Sequence, residues 1–197
     1  MKITIQQNTL KALVHFSAKK DIRYYLQGVL IESCATGTYA VATDGHCIAV
    51  ARIDSEPAGP GQVIIGREHL ENANKGNKFA IVIECPDQAE PGQLRRVTLA
   101  SGNGETTVTE IEGRFPDWRR VVRSEITGER AYYNPDLIAL VNKAGQAYSP
   151  NKAGYHINQA GNNAGHCAFD TEFHAWVMPM REQVLNFEPV AAWIMTA

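Results

Sequence analysis

The chain has 197 residues, of which 44% are hydrophobic and 20% charged, and its net charge is −2. This composition excludes a disordered chain and is sufficient for one large domain or two small ones. Because the charge is nearly balanced, any contact with nucleic acid must come from a local basic face. No apolar run approaches the roughly 20 residues of a membrane helix, and no secretory signal is visible. We therefore expect a cytoplasmic protein without membrane contact.

The first predicted elements are a strand and a helix. Ile3 and Ile5 alternate within residues 1–7, which is typical of a strand. Helical spacing follows over residues 8–20, and Asn8 is predicted to be the N-cap. One face of this helix carries Leu10, Leu13, Val14 and Ser17, and the other carries Lys11, His15 and Lys19.

A run of strands and a second helix are predicted next. Residues 22–33 and 38–54 are rich in β-branched and aromatic residues, which favours strands. A loop at 56–62 precedes a short helix at 66–76, which ends at Gly76. Three further strands, separated by Pro-Gly and Gly-Asn-Gly turns, are predicted at 78–85, 93–101 and 105–113.

The same pattern then begins again. A strand is predicted at 129–133 and a helix at 134–148, with Asn134 as N-cap and Pro135 at the first helical position. The predicted inward face of this helix comprises Leu137, Leu140, Val141 and Ala144. Three strands follow at 155–160, 165–170 and 173–181, and no second helix is predicted, so this unit corresponds to half of the first.

The order of elements predicts an α+β fold with helices over one face of an antiparallel sheet. We expect a complete domain at 1–122, a shortened domain at 123–181 and a tail at 182–197. The segment 113–122, GRFPDWRRVV, lies at the junction of the two domains. Its aromatic residues Phe115 and Trp118 are expected to anchor this linker, with Pro116 stiffening it and Arg119 and Arg120 in solvent.

The four cysteines show no C-x-x-C spacing, which argues against a zinc or redox site. The triplet Gly-His-Cys occurs twice, at 45–47 and 165–167. Because adjacent residues of a strand point to opposite faces, His46 and Cys47 could not easily share a metal. We expect separate core cysteines and no metal site.

Four stretches together resemble one protein family. DIRYYLQGVLIE (21–32), VATDGHCIAV (41–50) and GRFPDWRRV (113–121) come in the order and spacing of the middle domain of bacterial DNA sliding clamps. VMPMR (177–181) resembles the end of that clamp's last domain. The resemblance implies a DNA-clamp (processivity) fold, with one complete domain copy followed by a shortened second copy. The shortened copy could correspond to either half of the clamp's last domain.

In the clamp family, a groove between the middle and last domains binds a short peptide carried by polymerases, the clamp loader and repair proteins. An apolar slot with a few fixed polar groups suits such a ligand, and methionines can repack around varied side chains. An alternative is that Met178 and Met180 only fill a half-domain core. The groove residues implied by the resemblance are Leu26, Thr43, Gly45, His46, Ile48, Pro116, Arg120, Val121, Trp176, Val177, Met178, Pro179, Met180 and Arg181.

Helices line the ring of the family's clamps and face duplex DNA. Basic side chains there meet phosphates without reading base sequence, and aromatic residues at a basic rim can stack on bases. The corresponding DNA-facing residues here are Lys11, His15, Lys19, Lys20, Arg23, Tyr24 and Tyr25. An ordinary solvated helix face is the alternative interpretation.

The resemblance implies a sliding-clamp-like protein of DNA replication, whose partners are peptides of polymerase or clamp-loader proteins and, weakly, duplex DNA. The alternative is a clamp-derived decoy or regulator, compatible with a phage origin, which binds replication proteins without encircling DNA. A homo-oligomer is possible, since four chains could supply the twelve helices of a ring, but a trimer or a monomer is equally permissible.

An enzyme is not expected, and neither is a cofactor. Asp44 and His46 lie two apart in TDGH, but no glycine-rich nucleophile turn, P-loop or pair of carboxylates accompanies them. The tail contains QVLNF (183–187), which loosely resembles a clamp-binding peptide, and an apolar end (190–195). We expect it either to insert into a neighbouring chain's groove or to cover the open edge of the half-domain sheet.

Overall fold

The computed structural model of the protein describes residues 1–53, 60–90, 92–122, 125–151 and 155–181. The helices are α1 (Gln7–Phe16), α2 (Arg67–Asn74), the single turn α3 (Arg119–Val122) and α4 (Pro135–Tyr148). The strands are β1 (Lys2–Ile5), β2 (Gly28–Cys34), β3 (Gly37–Thr43), β4 (Cys47–Ile53), β5 (Gly61–Gly66), β6 (Ile81–Glu84), β7 (Arg96–Ser101), β8 (Gly104–Thr109), β9 (His156–Asn158), β10 (Gly165–Ala168) and β11 (Phe173–Val177).

The strands form two antiparallel sheets within the described residues. One has the order β1-β6-β7-β8 and the other the order β5-β2-β3-β4-β11-β10-β9. The first 109 residues thus contain the same series of elements twice: a strand, a helix and then three strands. The first strand of each series belongs to the sheet that contains the other series' three strands. Because β1 pairs with β6 and β5 with β2, the two halves of this unit cannot separate without breaking both sheets.

The main core lies between the two sheets and the helices. Leu10, Leu13 and Phe16 of α1 are fully buried there, together with Ile3 and Ile5 of β1. Fully burying one large apolar side chain contributes roughly 1.5–3 kcal/mol. The predicted inward face of α1 is therefore confirmed, and this helix connects both sheets to one core.

The second unit joins the first through strand pairing. β11 pairs antiparallel with β4, from Phe173↔Ala51 to Val177↔Cys47. On the inner side α4 packs against α1, and the Tyr148 ring stacks on Phe173 with centroids 4.6 Å apart. The last three strands therefore continue the larger sheet instead of forming a separate one.

Most predicted elements are confirmed, with several differences. The helix predicted at 8–20 ends at Phe16, so Lys19 lies beyond it, and the strand predicted at 173–181 ends at Val177. Residues 22–27 do not extend the strand but form a 3₁₀ turn at Tyr24–Gln27, and 129–133 lie outside any strand. The strand β5 at Gly61–Gly66 was not predicted, because its short apolar run lies between a loop and a helix. Asn8 is not the N-cap of α1; its side-chain amide instead donates to Tyr148 O at 2.7 Å.

The helix predicted at 134–148 is confirmed at its cap. Asn134 Oδ1 accepts a hydrogen bond from Asp136 N at 2.9 Å, and Pro135 occupies the first helical position. Val141 and Ala144 are fully buried, while Leu137 and Leu140 pack at the margin of the core. The capping signal and the apolar spacing were therefore sufficient to locate this helix.

The linker 113–122 packs on the outer face of the larger sheet. Phe115 and Trp118 are buried there against Leu30, Val41 and Ile64. This second apolar cluster is separate from the main core, so the larger sheet is covered on both faces. The predicted anchoring of the linker by its two aromatic residues is confirmed.

One carboxylate fixes the linker to the sheet. Glu32 Oε2 accepts hydrogen bonds from Trp118 Nε1 at 3.0 Å and Arg119 Nη1 at 2.7 Å. The Arg119 guanidinium also lies over the Trp118 ring, 4.2 Å from its centroid. The prediction that Arg119 is merely solvated was wrong, because the outward-facing Glu32 of β2 offers it a partner; Arg120 is exposed as expected.

Truncation of Leu13 to alanine should lower the free energy of unfolding by about 2–5 kcal/mol, since the cavity would open where α1 meets both sheets. Urea denaturation followed by circular dichroism measures this loss. Lys11→Ala, on the exposed face of the same helix, is the matched control and should change stability by less than about 0.5 kcal/mol. Equal losses in the two variants would contradict the assigned faces of α1.

Candidate functional site: a groove at the junction of the two units

A groove of about 220 Å³ lies where the two units meet on the outer side of the larger sheet. Its walls come from the 3₁₀ turn, the β3–β4 turn, the linker and the end of β11. The lining residues are Arg23, Leu26, Thr43, Gly45, His46, Cys47, Ile48, Pro116, Asp117, Trp118, Val121, Ala164, Trp176 and Met178. Most of these side chains are apolar, and the charged ones are limited to the rim.

The β3–β4 turn is held rigid by its own side chains. Asp44 Oδ1 accepts from the backbone N–H groups of His46 and Cys47, each at 2.8 Å. Thr43 Oγ1 donates to Cys47 O at 2.7 Å and accepts from Gly45 N at 3.0 Å. Asp44 therefore serves as a turn-stabilising acceptor, and the turn presents the His46 side chain at the groove.

Gly45 is required at this turn for two reasons. Its φ of +92° lies in the region that favours glycine, and a Cβ there would lie 2.9 Å from Arg23 Nη2. The guanidinium of Arg23 is thus packed directly over the glycine. It is held in that position by Asp21, with Nη2 and Oδ2 2.7 Å apart.

The ion pair between Arg23 and Asp21 holds charged groups at a fixed position on the rim of the otherwise apolar groove. Hydrogen bonds from the Arg23 guanidinium and backbone lower the pKa of Asp21 to about 2. Asp21 is therefore ionised throughout the neutral range, and Arg23 keeps its partner. Because Arg23 is exposed to solvent, the pair orients its guanidinium without adding much to the stability of the fold.

The floor and one wall of the groove come from outward-facing residues of paired strands. Ile48 of β4 lies directly opposite Trp176 of β11. Because strand residues alternate, Trp176 faces the groove while Val177 is fully buried in the main core. Met178, whose side chain is 44% exposed, follows at the rim, and its backbone N–H donates to His46 O at 2.9 Å.

The structure brings together most of the residues that the family resemblance implied. Leu26, Thr43, Gly45, His46, Ile48, Pro116, Val121, Trp176 and Met178 all line the groove. The other implied residues, Arg120, Val177, Pro179, Met180 and Arg181, are not among its lining residues. Val177 is excluded by strand alternation, and the chain turns away after Met178, since Met180 N donates to Tyr132 O at 2.7 Å.

Other lining residues were not predicted. Trp118 and Asp117 belong to the linker, and Trp118 was predicted as an anchor but not as part of the groove. Ala164 comes from the loop before β10, where the sequence carries no signal. Cys47 contributes at the margin, although its side chain is buried and lies in the main core.

The residues predicted to face DNA are distributed over several parts of the surface. Lys11 and His15 line a cavity of about 590 Å³ between α1 and α2, together with Lys75 and Lys78. Lys19 and Tyr24 border a second cavity, of about 670 Å³, at the far end of α1. Of the others, Lys20 is exposed, Arg23 belongs to the groove, and Tyr25 packs against Gly113 and the outer cluster.

The helical face is basic but partly structural. Arg67 Nη1 donates to Val14 O at 2.7 Å and Ser17 O at 2.8 Å, so it satisfies carbonyls at the end of α1. Burial lowers the pKa of His15, and the nearby charges of Arg67, Lys11 and Lys143 lower it further. His15 is therefore neutral at pH 7, and the positive charge on this face comes from the lysines.

Within the described residues, no group of three His, Cys, Asp or Glu side chains is arranged to hold a metal ion. The helices in that part of the chain are also too short and too polar to span a bilayer.

Comparison with known proteins identifies the class of this fold. The structure superposes on the DNA polymerase III beta subunit of Thermotoga maritima with a TM-score of 0.70 at 15% identity, covering 92% of this chain and 65% of that one. It superposes on the DNA polymerase sliding clamp of Pseudomonas aeruginosa with a TM-score of 0.64 at 19% identity, covering 92% and 66%. The predicted clamp-type α+β fold is confirmed.

The sequence identifies the family. Residues 4–117 match the central domain of the DNA polymerase III beta subunit. The chain is 36% identical over 135 residues to the beta sliding clamp of Salmonella typhimurium and 32% identical over 129 residues to that of Vibrio cholerae. The chain belongs to the DNA polymerase III beta subunit family of sliding clamps. Each match covers 62% of this chain and 34% of the relative, so the chain spans about a third of the length of these relatives.

Gly45→Ala should destabilise the protein by about 1–2 kcal/mol, because a non-glycine residue is strained at this φ. It should also displace Arg23 and raise the pKa of Asp21 from about 2 towards its ordinary value. Denaturation and NMR titration of the Asp21 carboxyl measure the two effects.

Gly76→Ala is the matched control, because Gly76 has a φ of +69° but a Cβ added there would meet nothing within 4 Å. The Gly76→Ala variant should be destabilised by the same kind of backbone strain, but the pKa of Asp21 should not change. An unchanged Asp21 titration in Gly45→Ala would mean that Arg23 is not held over the turn.

Proposed function

We propose that the chain is a sliding-clamp-like protein of DNA replication that binds short peptides of polymerase or clamp-loader proteins in the groove at the junction of its units. The observation that carries this proposal is the groove itself, an apolar slot whose walls come from both units and whose rim carries a few polar groups. Binding is the proposed activity, and no reaction is assigned. The proposed setting is the bacterial cytoplasm, where replication takes place.

The chemistry of the groove favours a short extended peptide with apolar side chains. Leu26, Ile48, Trp118, Trp176 and Met178 form an apolar surface that an aliphatic or aromatic residue could cover. His46, Arg23 and Asp117 offer polar contacts at the rim for a glutamine or for peptide backbone groups. A peptide of the glutamine–apolar–phenylalanine kind matches both parts of this surface.

The rigidity of the groove also supports binding. Hydrogen bonds within the β3–β4 turn and the contacts of Glu32 with the linker hold the walls before any ligand arrives. A preformed site loses little conformational entropy on binding. The division of the chain at residue 122 stays a prediction, and the groove is described by its lining residues without it.

Weak contact with duplex DNA is the second part of the proposal. The helices α1 and α2 both border the cavity that holds Lys11, Lys75 and Lys78, and α4 packs beside α1 with Lys143 near His15. These lysines can meet phosphates without reading bases. Because the set is small, we expect weak binding that declines as salt is added.

Titration of a labelled glutamine–apolar–phenylalanine peptide should show saturable binding with a Kd on the order of micromolar, because few side chains become buried. Met178→Ala should weaken binding by about tenfold, since Met178 lines the groove. Met180→Ala is the matched control and should bind like the wild type, because Met180 is two residues further on and does not line it. Absence of binding by the wild-type protein would refute the proposed function.

Lys11→Glu should reduce the affinity for a duplex of arbitrary sequence, measured by fluorescence anisotropy at low salt. Arg52→Glu makes the same change of charge at an exposed position of β4, away from the helices. It should have little effect on the affinity for the duplex. Duplex binding that persists at high salt or depends on base sequence would contradict weak contact through phosphates.

Light scattering with and without circular DNA distinguishes a closed multimer retained on the circle from a module that does not encircle DNA.

A further inference from the structure

The groove lies close to the last described residue of the chain. Met178 lines its rim with a side chain that is 44% exposed, and the described residues end at Arg181. The tail follows in sequence as EQVLNFEPVAAWIMTA (182–197). This segment accompanies every copy of the groove at equal concentration, so it is the first ligand to compare with it.

The sequence of the tail places one polar and two apolar side chains at alternate positions. In an extended chain, alternate side chains share a face. Gln183, Leu185 and Phe187 therefore lie on one face of an extended peptide, and Val184 and Asn186 lie on the other. The first face presents an amide followed by two large apolar groups.

The groove offers the complementary groups. Its apolar walls include Leu26, Trp176 and Met178, which can cover the two apolar side chains of an extended peptide. Its rim includes Arg23 and His46, whose N–H groups can donate to the oxygen of a glutamine amide. The face of the tail that carries the glutamine therefore matches this site, and the face with the asparagine can remain in solvent.

The open edge of the larger sheet is a shorter receptor for the tail. The edge strand β9 has three residues. The chain just beyond it is already bonded, since Gln159 O accepts from Gly128 N at 3.0 Å and Gly161 N donates to Glu129 O at 3.1 Å. This edge can pair with only a small part of the tail, whereas the groove can receive both of its apolar side chains.

The way the chain leaves the groove favours a second copy as the source of the tail. Met180 N donates to Tyr132 O at 2.7 Å, so the chain is held as far as Met180, which does not line the groove. Two residues separate Met180 from Gln183. A reversal over so few residues is a β-turn, which would return Gln183 to within about 7 Å of Met180 instead of placing it at the groove rim. The groove of another chain imposes no such limit.

We propose that residues 183–187 of a second copy of this chain occupy the groove, with Gln183 at the rim and Leu185 and Phe187 against the apolar walls. This inference rests on the proposed function, because it names a ligand of the same groove. Copies of the chain then associate through their tails. A peptide of another protein must displace the tail, so the tail regulates access to the groove.

Light scattering over a series of protein concentrations tests the association of copies. The mass of the wild-type protein should rise with concentration, and the variant with both Leu185→Ala and Phe187→Ala should keep the mass of a single chain. Val184→Ala is the matched control, because it shortens an apolar side chain on the other face, and it should associate like the wild type. Met178→Ala should weaken the association by about tenfold, since it removes part of the groove wall.

Peptide titrations test whether the groove is the receptor. A labelled peptide of residues 182–189 should bind the double variant saturably, with a Kd on the order of micromolar. The same peptide with alanine in place of Leu185 and Phe187 should bind at least about tenfold more weakly. The glutamine–apolar–phenylalanine peptide should bind the double variant more tightly than the wild type, by about tenfold where roughly nine grooves in ten hold a tail.

The outcomes separate this inference from the proposed function. If neither peptide binds the double variant, the proposed function fails and the inference fails with it. If the glutamine–apolar–phenylalanine peptide binds but the peptide of residues 182–189 does not, the proposed function survives and the inference is wrong.

Two results of light scattering would also overturn the inference. Multimers that persist in the double variant would mean that copies associate through another surface. A wild-type protein that stays monomeric, but binds peptide more weakly than the double variant, would mean that the tail enters the groove of its own chain.

Discussion

The antiparallel pairing of β4 with β11 is the interaction on which the rest of the structure depends. It places Val177 opposite Cys47 in the main core and Trp176 opposite Ile48 on the outer face. The backbone hydrogen bonds of this strand pair thus hold the two units together. They also place two side chains of the groove opposite each other. A shift of one residue would exchange these faces and move Trp176 into the core, so the buried side chains of both strands also fix the register of the site.

The linker covers the outer face of the sheet that this pairing extends. The larger sheet is apolar on both faces, and its outer face would be exposed without the buried rings of Phe115 and Trp118. Glu32 holds the linker by accepting from both Trp118 and Arg119. The segment that connects the two units is therefore also a cover for the sheet and a wall of the groove. This explains the two aromatic residues of the segment and Arg119 beside them.

The two sides of the molecule differ in how they use charge. Lysines are exposed around the cavity between α1 and α2, whereas Arg67 satisfies carbonyls at the end of α1 and Arg119 and Arg23 are held by carboxylates. Guanidinium groups with several donors fit such fixed roles, and lysine ammonium groups suit loose contact with phosphates. This division agrees with the proposed function, in which a peptide binds on the outer side and duplex DNA makes weak contact with the helical side.

The sequence by itself determined the elements, the fold class and the family. Alternation in β1, helical spacing in α1 and α4 and the Asn134 cap are local signals, and each one reports the conformation of a few neighbouring residues. Four short stretches in the right order were sufficient for the clamp resemblance, and the chain's relationship to sliding clamps bears it out. The tail at 182–197 carries its own motif, but it lies outside the described residues.

Only the tertiary structure decided which of these residues meet. Val177 and Trp176 are neighbours in sequence, yet one lies in the core and the other in the groove, because strand alternation acts only once the pairing partner is known. Arg23 was grouped with the DNA-facing lysines because its neighbours are basic, but the Asp21 ion pair and the space over Gly45 place it at the groove. Ala164 lies in the loop before β10, and its partners in the groove are distant in sequence. A single sequence carries no local signal for such contacts, because they form only when the second unit adds its strands to the sheet of the first.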